Sequence, residues 1–456
     1  MPAYTRLHVL VLIALVSLCA DLASGEKGDE NDDRPATAER GSDGQPRYRH
    51  PYADGLYSTV TAMNTFPDLS VRKQKKVKLK VPGFRKDVPV HAILQNHRAP
   101  LIVVLLGVDG KVDGPWGGLF PYWYNEYNYH VLTFDSTFTP QYPEISGQGV
   151  VGNFDAEADQ VAAVIAAFLK TDEAQRVVTN VGVLGMSFGG SQALLLAAKA
   201  KAGKLPFQLS GCLALSPPVS LRTAARTVDR FFVEDRWDTT MIELAKRFGP
   251  HVPVKEGQKI PFAPTEMRAA IGFVFRDGLM NVVERNDRFY KLKVLPGEDS
   301  GENRSTWAEA IGFEYFMEKF TFPYWEKKGA VKTADELWDM TSLAKLLPRL
   351  PDYAEAIVAA NDPFNLPDEL AQAQAADANK RLTVLPNGGH LGYVASDWML
   401  VKSLRIFRAE TRRPSIEILD TEDSRTPDQA RKEALDAAKE ALNREVPPAD
   451  AKKKAP

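Results

Sequence analysis

Cysteine is almost missing from this chain: there are two in 456 residues, Cys19 and Cys212. Cys19 falls in an N-terminal apolar stretch, so a processed chain would keep Cys212 alone. A stabilising disulfide within it is excluded, and stability must come from a core. Histidine is scarce as well, with seven residues, so a reaction that needs an imidazole base has few candidates. Charge of one sign is not in excess, 57 Lys and Arg against 59 Asp and Glu for a net charge of −2, and no phosphate-cradling glycine loop or RNA-binding signature is present. Apart from Leu7–Cys19 there is no long apolar run, and that stretch is too short for a comfortable membrane span. No repeat of solenoid period is visible.

Outside these absences the composition is ordinary for a globular protein, 44% hydrophobic and 25% charged. Residues 1–25 read as a secretory signal peptide, with one arginine, an apolar centre and small residues before a cleavage site after Gly25. Cys19 leaves lipoprotein processing as an alternative, disfavoured by the bulky Leu18 before it. The expected location is therefore exported, periplasmic or extracellular. Residues 26–70 form a polar linker and lead-in; Asp29, Glu30, Asp32 and Asp33 within it lack the spacing of a calcium loop and read as solvated charge. In the basic run from Arg72 to Lys80, Val77, Leu79 and Val81 alternate with lysines, the pattern of a half-exposed edge strand rather than of a nucleic-acid surface. After Arg413-Pro414 the chain turns polar. Thr426-Pro427-Asp428-Gln429 opens one capped helix in an otherwise weakly structured tail, residues 411–456.

The most informative segment is VGVLGMSFGG, residues 181–190, running into SQALLLAAKAKA. A serine with glycine two positions either side suits a sharp strand-to-helix turn, where bulky neighbours clash and the helix N-terminus aims N–H groups at a reacting oxygen. Chance alone yields such a pentapeptide in about one chain in ten of this length, so context decides. The β-branched run before Ser187 and the strong helix former after it supply that context. The competing reading is a glycine-rich turn whose serine caps its helix.

A serine nucleophile requires a histidine base and an acid to orient it. His8, His50, His91, His97 and His130 precede Ser187, leaving His251 and His390 downstream. His390 follows the strand-like RLTVL through a Pro-Asn-Gly-Gly turn, the better placement; His251 lies in a less regular insertion. Between Ser187 and His390, Ala356–Ala360 reads as a strand that Asn361-Asp362-Pro363 breaks, which puts Asp362 just past its end. Asp352 and Asp368 are the runners-up for the acid.

Ser187, Asp362 and His390 in this order, on loops after successive strands, resemble the serine hydrolases of the α/β-hydrolase superfamily. The runs GGHLGY and ANDPF are similar to the YheT-like hydrolase branch. The resemblance covers about residues 75–220 and 350–410. It implies an oxyanion hole from the N–H groups of Phe188 and of Val108, the latter after the strand APLIVVLLG. The sequence departs from the family's usual His-Gly there, and DSTFTPQYPEISGQG replaces a commoner glycine-rich run after the next strand, altering the rim of the site.

The expected fold is α/β: an α/β-hydrolase fold with a mostly parallel eight-stranded sheet, helices on both faces and a large, mainly helical lid insertion. Strands are expected near 76–81, 88–94, 101–106, 130–135, 177–184, 211–216, 356–360 and 381–385, with helices at 156–170, 192–202 and 394–409. Core parts at 71–220 and 351–410 flank the insertion, 221–350. Its Trp307, Phe313, Tyr315, Phe316, Phe320, Phe322, Tyr324 and Trp325 either face an apolar substrate or build the lid's own core, the second being favoured. Trp116, Tyr122, Trp123, Tyr124, Tyr127 and Tyr129 either wall the pocket or pack under a helix. The expected activity is hydrolysis of a carboxylic ester or related acyl bond of a small molecule through an acyl-enzyme, with no metal or organic cofactor required. Peptide cleavage or acyl transfer by the same residues, and a non-catalytic binding protein of the cell envelope, are the alternatives. Oligomeric state is not legible.

Overall fold

A computed structural model describes residues 48–64, 74–234, 260–293, 295, 311–394 and 396–408. The leader, the acidic cluster at 29–33, His251, Trp307 and the tail helix from 426 lie outside the described residues, as does the second compact unit from Thr411 on.

The described elements begin with helix α1 (Gly55–Asn64) and strands β1 (Lys75–Leu79), β2 (Val88–Ile93) and β3 (Ala99–Leu105). Helix α2 (Pro115–Glu126), β4 (His130–Phe134), α3 (Phe154–Leu169), β5 (Val178–Met186), α4 (Phe188–Lys201) and β6 (Gly211–Leu215) follow. Between β6 and β7 (Ala354–Ala359) the described residues are mainly helical, chiefly α5 (Leu221–Glu234) and α6 (Pro264–Tyr290), with shorter helices at Phe313–Phe316, Phe322–Lys327 and Ala334–Asp339. The unit closes with α7 (Pro367–Ala376), β8 (Leu382–Leu385) and α8 (Asp397–Arg408). The sheet order is β1-β2-β4-β3-β5-β6-β7-β8. β2 pairs antiparallel with β1 and β4, and the remaining pairs are parallel. This is the α/β-hydrolase fold that the resemblance implies, and the mostly parallel sheet covered on both faces that the alternation of strands and helices predicts.

Alternation along β3 shows why both faces must be covered. Leu101, Val103 and Leu105 enter one core with α3 and α4; Ile102, Val104 and Leu106 enter the other with α2 and α8. Each fully buried side chain of this kind contributes about 1.5–3 kcal/mol relative to exposure. β1 is the edge strand, and its lysines stay outside, Lys75 pairing with Glu173 at 2.5 Å and Lys76 with Asp113 at 3.0 Å. Tyr124 and Tyr129 belong to the core under α2, on the face that α8 covers, where Tyr124 meets Phe407 edge-on at 5.8 Å.

Two differences from expectation carry physical content. Helix α4 begins at Phe188 rather than near Gln192, because Ser187 alone makes the turn and Gly189 and Gly190 are already helical. Residues 55–64, whose composition reads as part of a lead-in, form α1 and bury Tyr57 and Val60. Cys212 is a buried free thiol on β6; its Sγ–H donates to the Ala193 carbonyl at 3.4 Å, and burial pushes its pKa up to about 12. It behaves as a small apolar residue.

Candidate active site

Ser187 stands between β5 and α4 with φ 54° and ψ −122°, a conformation that costs a non-glycine residue about 1–3 kcal/mol. The turn persists because its surroundings over-determine it. Ser187 N–H donates to the Leu215 carbonyl at 2.8 Å, and the Ser187 carbonyl accepts from Gly190 N–H at 2.8 Å. The flanking glycines are obligatory for contact rather than for torsion: a Cβ on Gly185 would lie 2.0 Å from the Gly189 carbonyl oxygen, and one on Gly189 2.3 Å from that of Leu105. Gly107, in the loop after β3, lies on the other side at ordinary contact distance, its would-be Cβ 3.4 Å from Ser187 Cβ.

Asp362 follows β7, where its N–H donates to the Ala359 carbonyl at 3.2 Å and its Oδ1 accepts from Phe364 N–H at 2.9 Å. Its Oδ2 lies 2.8 Å from His390 Nδ1. His390 Nε2 in turn lies 2.8 Å from Ser187 Oγ. With an ionised carboxylate as its neighbour, Nδ1 carries the proton and donates, leaving the Nε2 lone pair to accept the serine hydroxyl; this tautomer follows from the bonding. The Phe364 ring meets the imidazole edge-on at 4.7 Å. Ser187, Asp362 and His390 are 9%, 3% and 4% exposed, so their shared hydrogen bonds are shielded from competing water. The two alternative acids are elsewhere: Asp352 is exposed and paired with Arg381, and Asp368 is exposed in the first turn of α7.

Phe188 is the first residue of α4, where an N–H has no intrahelical acceptor. Val108 follows β3 in a loop held by the bonds from Asp109 N–H to the Phe138 carbonyl and from Gly110 N–H to the Gly107 carbonyl, each 3.0 Å. Neither the Phe188 nor the Val108 N–H has an acceptor among the described residues.

Beside Ser187 lies an apolar pocket of about 60 Å³. Val108, Phe138, Phe154 and Phe188 line it from the core; Leu221, Ala224, Val228, Phe313 and Met317 line it from the helices between β6 and β7. The aromatic residues of that insertion thus divide. Phe313 faces the pocket, whereas Phe316 and Phe320 are buried against one another at 5.3 Å and Trp325 Nε1–H donates to the Val150 carbonyl at 2.8 Å. Of the second aromatic group, none with a described side chain lines the pocket. Sequence reasoning did not single out Phe138 and Phe154. Phe138 comes from the DSTFTPQ run that departs from the family's pattern, which forms a wall here.

That wall hangs on one buried carboxyl. Glu157 accepts from Thr137 Oγ1–H, from Gly152 N–H at 2.5 Å and from Gln192 Nε2–H at 3.3 Å. Burial pushes its pKa up to about 7 despite those donors. On the opposite side Asp109, at φ 51°, backs onto α6, its Cβ 3.2 Å from where a Cβ on Gly278 would be. Burial raises the Asp109 carboxyl above the usual range, and Lys111 Nζ, 3.2 Å away, opposes the shift. Among the described residues no cluster of side chains could hold a metal ion, and no helix is long and apolar enough to cross a membrane.

A family model described as "Alpha/beta hydrolase family" matches residues 103–400. A search of curated proteins finds no match. Solved structures similar to this chain include an esterase of Pyrococcus furiosus, 14% identical with a TM-score of 0.39 over 75% of this chain and 91% of that one. A proline iminopeptidase of Mycobacterium smegmatis is 14% identical with a TM-score of 0.38 over 73% and 98%. The alpha/beta hydrolase GrgF from Penicillium sp. sh18 is 15% identical with a TM-score of 0.40 over 74% and 98%.

Proposed function

The chain belongs to the alpha/beta hydrolase family, and from that premise we propose that it is a serine hydrolase cleaving a carboxylic ester with a short, uncharged acyl group. Ser187 Oγ attacks the carbonyl carbon while His390 Nε2 takes its proton. Asp362 holds the imidazole in the required tautomer and stabilises its positive charge once formed. The N–H groups of Phe188 and Val108 receive the developing oxyanion, each contributing about 3 kcal/mol to the transition state. His390 then returns the proton to the leaving alcohol, and water attacks the acyl-enzyme by the same route in reverse order.

One observation carries this reading: the buried relay from Asp362 through His390 to Ser187, with both links at 2.8 Å. The acyl class follows from the pocket. A water needs about 10–15 Å³ and this pocket has about 60 Å³, so a few heavy atoms fill it, and its lining carries no charged side chain. We read the described helices between Leu221 and Asp339 as a lid over this pocket, and the leader-like sequence of residues 1–25 supports action after export.

The experiment is covalent labelling of the full chain with a fluorophosphonate, mapped by peptide mass spectrometry with Ser187→Ala as control. Labelling confined to Ser187 is expected. Folded protein that does not label, or that labels equally in the variant, overturns the assignment.

A further inference from the structure

The family match begins at residue 103 and the sheet at Lys75, yet the histidine loop is fastened to a segment that precedes both. Three successive N–H groups in that loop donate to side-chain oxygens from three separate elements. Gly389 N–H reaches Asn361 Oδ1 at 2.9 Å, His390 N–H reaches Thr59 Oγ1 at 2.9 Å, and Leu391 N–H reaches Ser216 Oγ at 3.2 Å. The loop needs such acceptors because its backbone cannot join a regular ladder: Gly388, Gly389 and Leu391 have φ of 124°, 55° and 69°. Buried donors left over from such a path must find partners in side chains.

Thr59 is 1% exposed on α1 and donates its own proton to the Gly55 carbonyl at 2.7 Å, which orients its oxygen toward the His390 amide. The rest of the segment is anchored to the same two loops. Tyr48 O–H donates to the Asn387 carbonyl at 2.7 Å, Asn387 Nδ2–H to the Tyr52 carbonyl at 3.3 Å, and Asn361 Nδ2–H to the Ala53 carbonyl at 2.8 Å. The approach is close enough that a Cβ on Gly55 would sit 1.9 Å from the Asn361 carbonyl oxygen, and one on Gly389 2.3 Å from the Gly55 carbonyl oxygen.

We infer that Thr59, delivered by the N-terminal segment 48–64, is a positioning residue that sets the height of His390 over Ser187. The inference rests on the reading of Ser187, Asp362 and His390 as the reacting group. Valine at this position keeps the shape and removes the acceptor, so the buried His390 N–H loses its partner and the loop relaxes away from it. Thr59 is not among the residues that line the apolar pocket, so substrate affinity is not its province. If it served only to hold α1 on the body, its loss would lower the melting temperature without singling out one amide or splitting kcat from KM.

The test compares full-length wild type, Thr59→Val and Thr59→Ser in two measurements: turnover of a short-chain ester, and hydrogen–deuterium exchange resolved at Gly389, His390 and Leu391. Thr59→Val is expected to lower kcat about tenfold to a hundredfold at nearly constant KM and to accelerate exchange at His390. Thr59→Ser, which restores the hydroxyl, is expected to recover both. Thr59→Ala removes the same acceptor and takes the place of the valine variant should that one fail to fold. The inference is overturned if the acceptor-less variant keeps kcat within about twofold of wild type with exchange at His390 unchanged, or if serine restores neither. Wild type that neither turns over ester nor labels at Ser187 would sink the hydrolase reading instead, and exchange at His390 would then decide by itself whether the clamp exists.

Discussion

The loops at the ends of β5, β7 and β8 and the helices that roof them between β6 and β7 are held by different physics. In the loops the site is held by directed partners: Asp362 uses both oxygens, and Asn361 both bonds to the histidine loop and reaches back to Ala53. Backbones approach so closely that glycine is compulsory at Gly185 and Gly189. Most side chains that the roof turns to the site have no directional demand, such as Leu221, Val228, Phe313 and Met317. Its ion pairs stand back from the pocket, Arg276 with Asp229 at 3.0 Å and Arg222 with Glu314 at 3.0 Å. Asp229 also accepts from Phe313 N–H at 2.9 Å, so the pair fixes where one aromatic wall begins. Directed bonds hold atoms to a fraction of an ångström, which proton transfer needs; dispersion and burial define a volume, which is all that an apolar acyl group reads. On the proposed function, the roof is therefore the part that can be reshaped without disturbing the chemistry.

The largest expected effects test the loop side. Ser187→Ala and His390→Ala should each lower ester turnover by about 10³-fold or more with an unchanged thermal transition; a variant that keeps turnover near wild type removes the distinction between the two regions at its root. Gly189→Ala should cost more than about 4 kcal/mol in denaturant unfolding or prevent folding, because its Cβ would lie 2.3 Å from the Leu105 carbonyl oxygen. A loss under about 1 kcal/mol would mean that the turn is softer than the contact implies.

Glu157 lies where loop and roof meet, and it gives a test by pH. Its folded pKa of about 7 is above the ordinary 4.5, so between those values the folded chain holds a proton that the unfolded chain releases. Stability is then full below the ordinary pKa and falls as pH rises through the folded one, by about 3 kcal/mol at 1.36 kcal/mol per unit. Glu157→Gln should flatten this slope and raise the urea midpoint at pH 8; an unaltered slope would assign the pH dependence to other groups. The smallest effect belongs to the roof. Ala224→Leu narrows the pocket and should lower kcat/KM for a longer acyl ester relative to acetyl by about tenfold while labelling of Ser187 proceeds as in wild type. Equal loss for both esters would show that the roof also holds the reacting groups.

Legibility followed the range of the forces involved. Strand positions were readable because two buried faces demand continuous β-branched runs, and β1 was readable as an edge because its lysines alternate with apolar residues. The strand-turn-helix context of Ser187 is local, as is the break that sets Asp362 just past the end of β7. The aromatic-rich insertion was ambiguous because Phe313 and Phe316, three residues apart, have opposite duties, one at the pocket and one in the core. Thr59 left no signal at all. Its partner is 331 residues away in sequence, and a threonine in a polar lead-in carries no mark of that contact.

By itself the sequence determined the class of fold, the strand order's raw materials and the three residues that the fold brings within hydrogen-bonding distance, because periodicity, glycine spacing and turn chemistry act over a few residues at a time. Only the tertiary structure decided which aromatics wall the pocket, that Glu157 is buried beneath it, and that the N-terminal segment clamps the histidine loop. Those features depend on surfaces meeting across hundreds of residues, where close packing and the need to pair every buried donor select partners that no local pattern encodes.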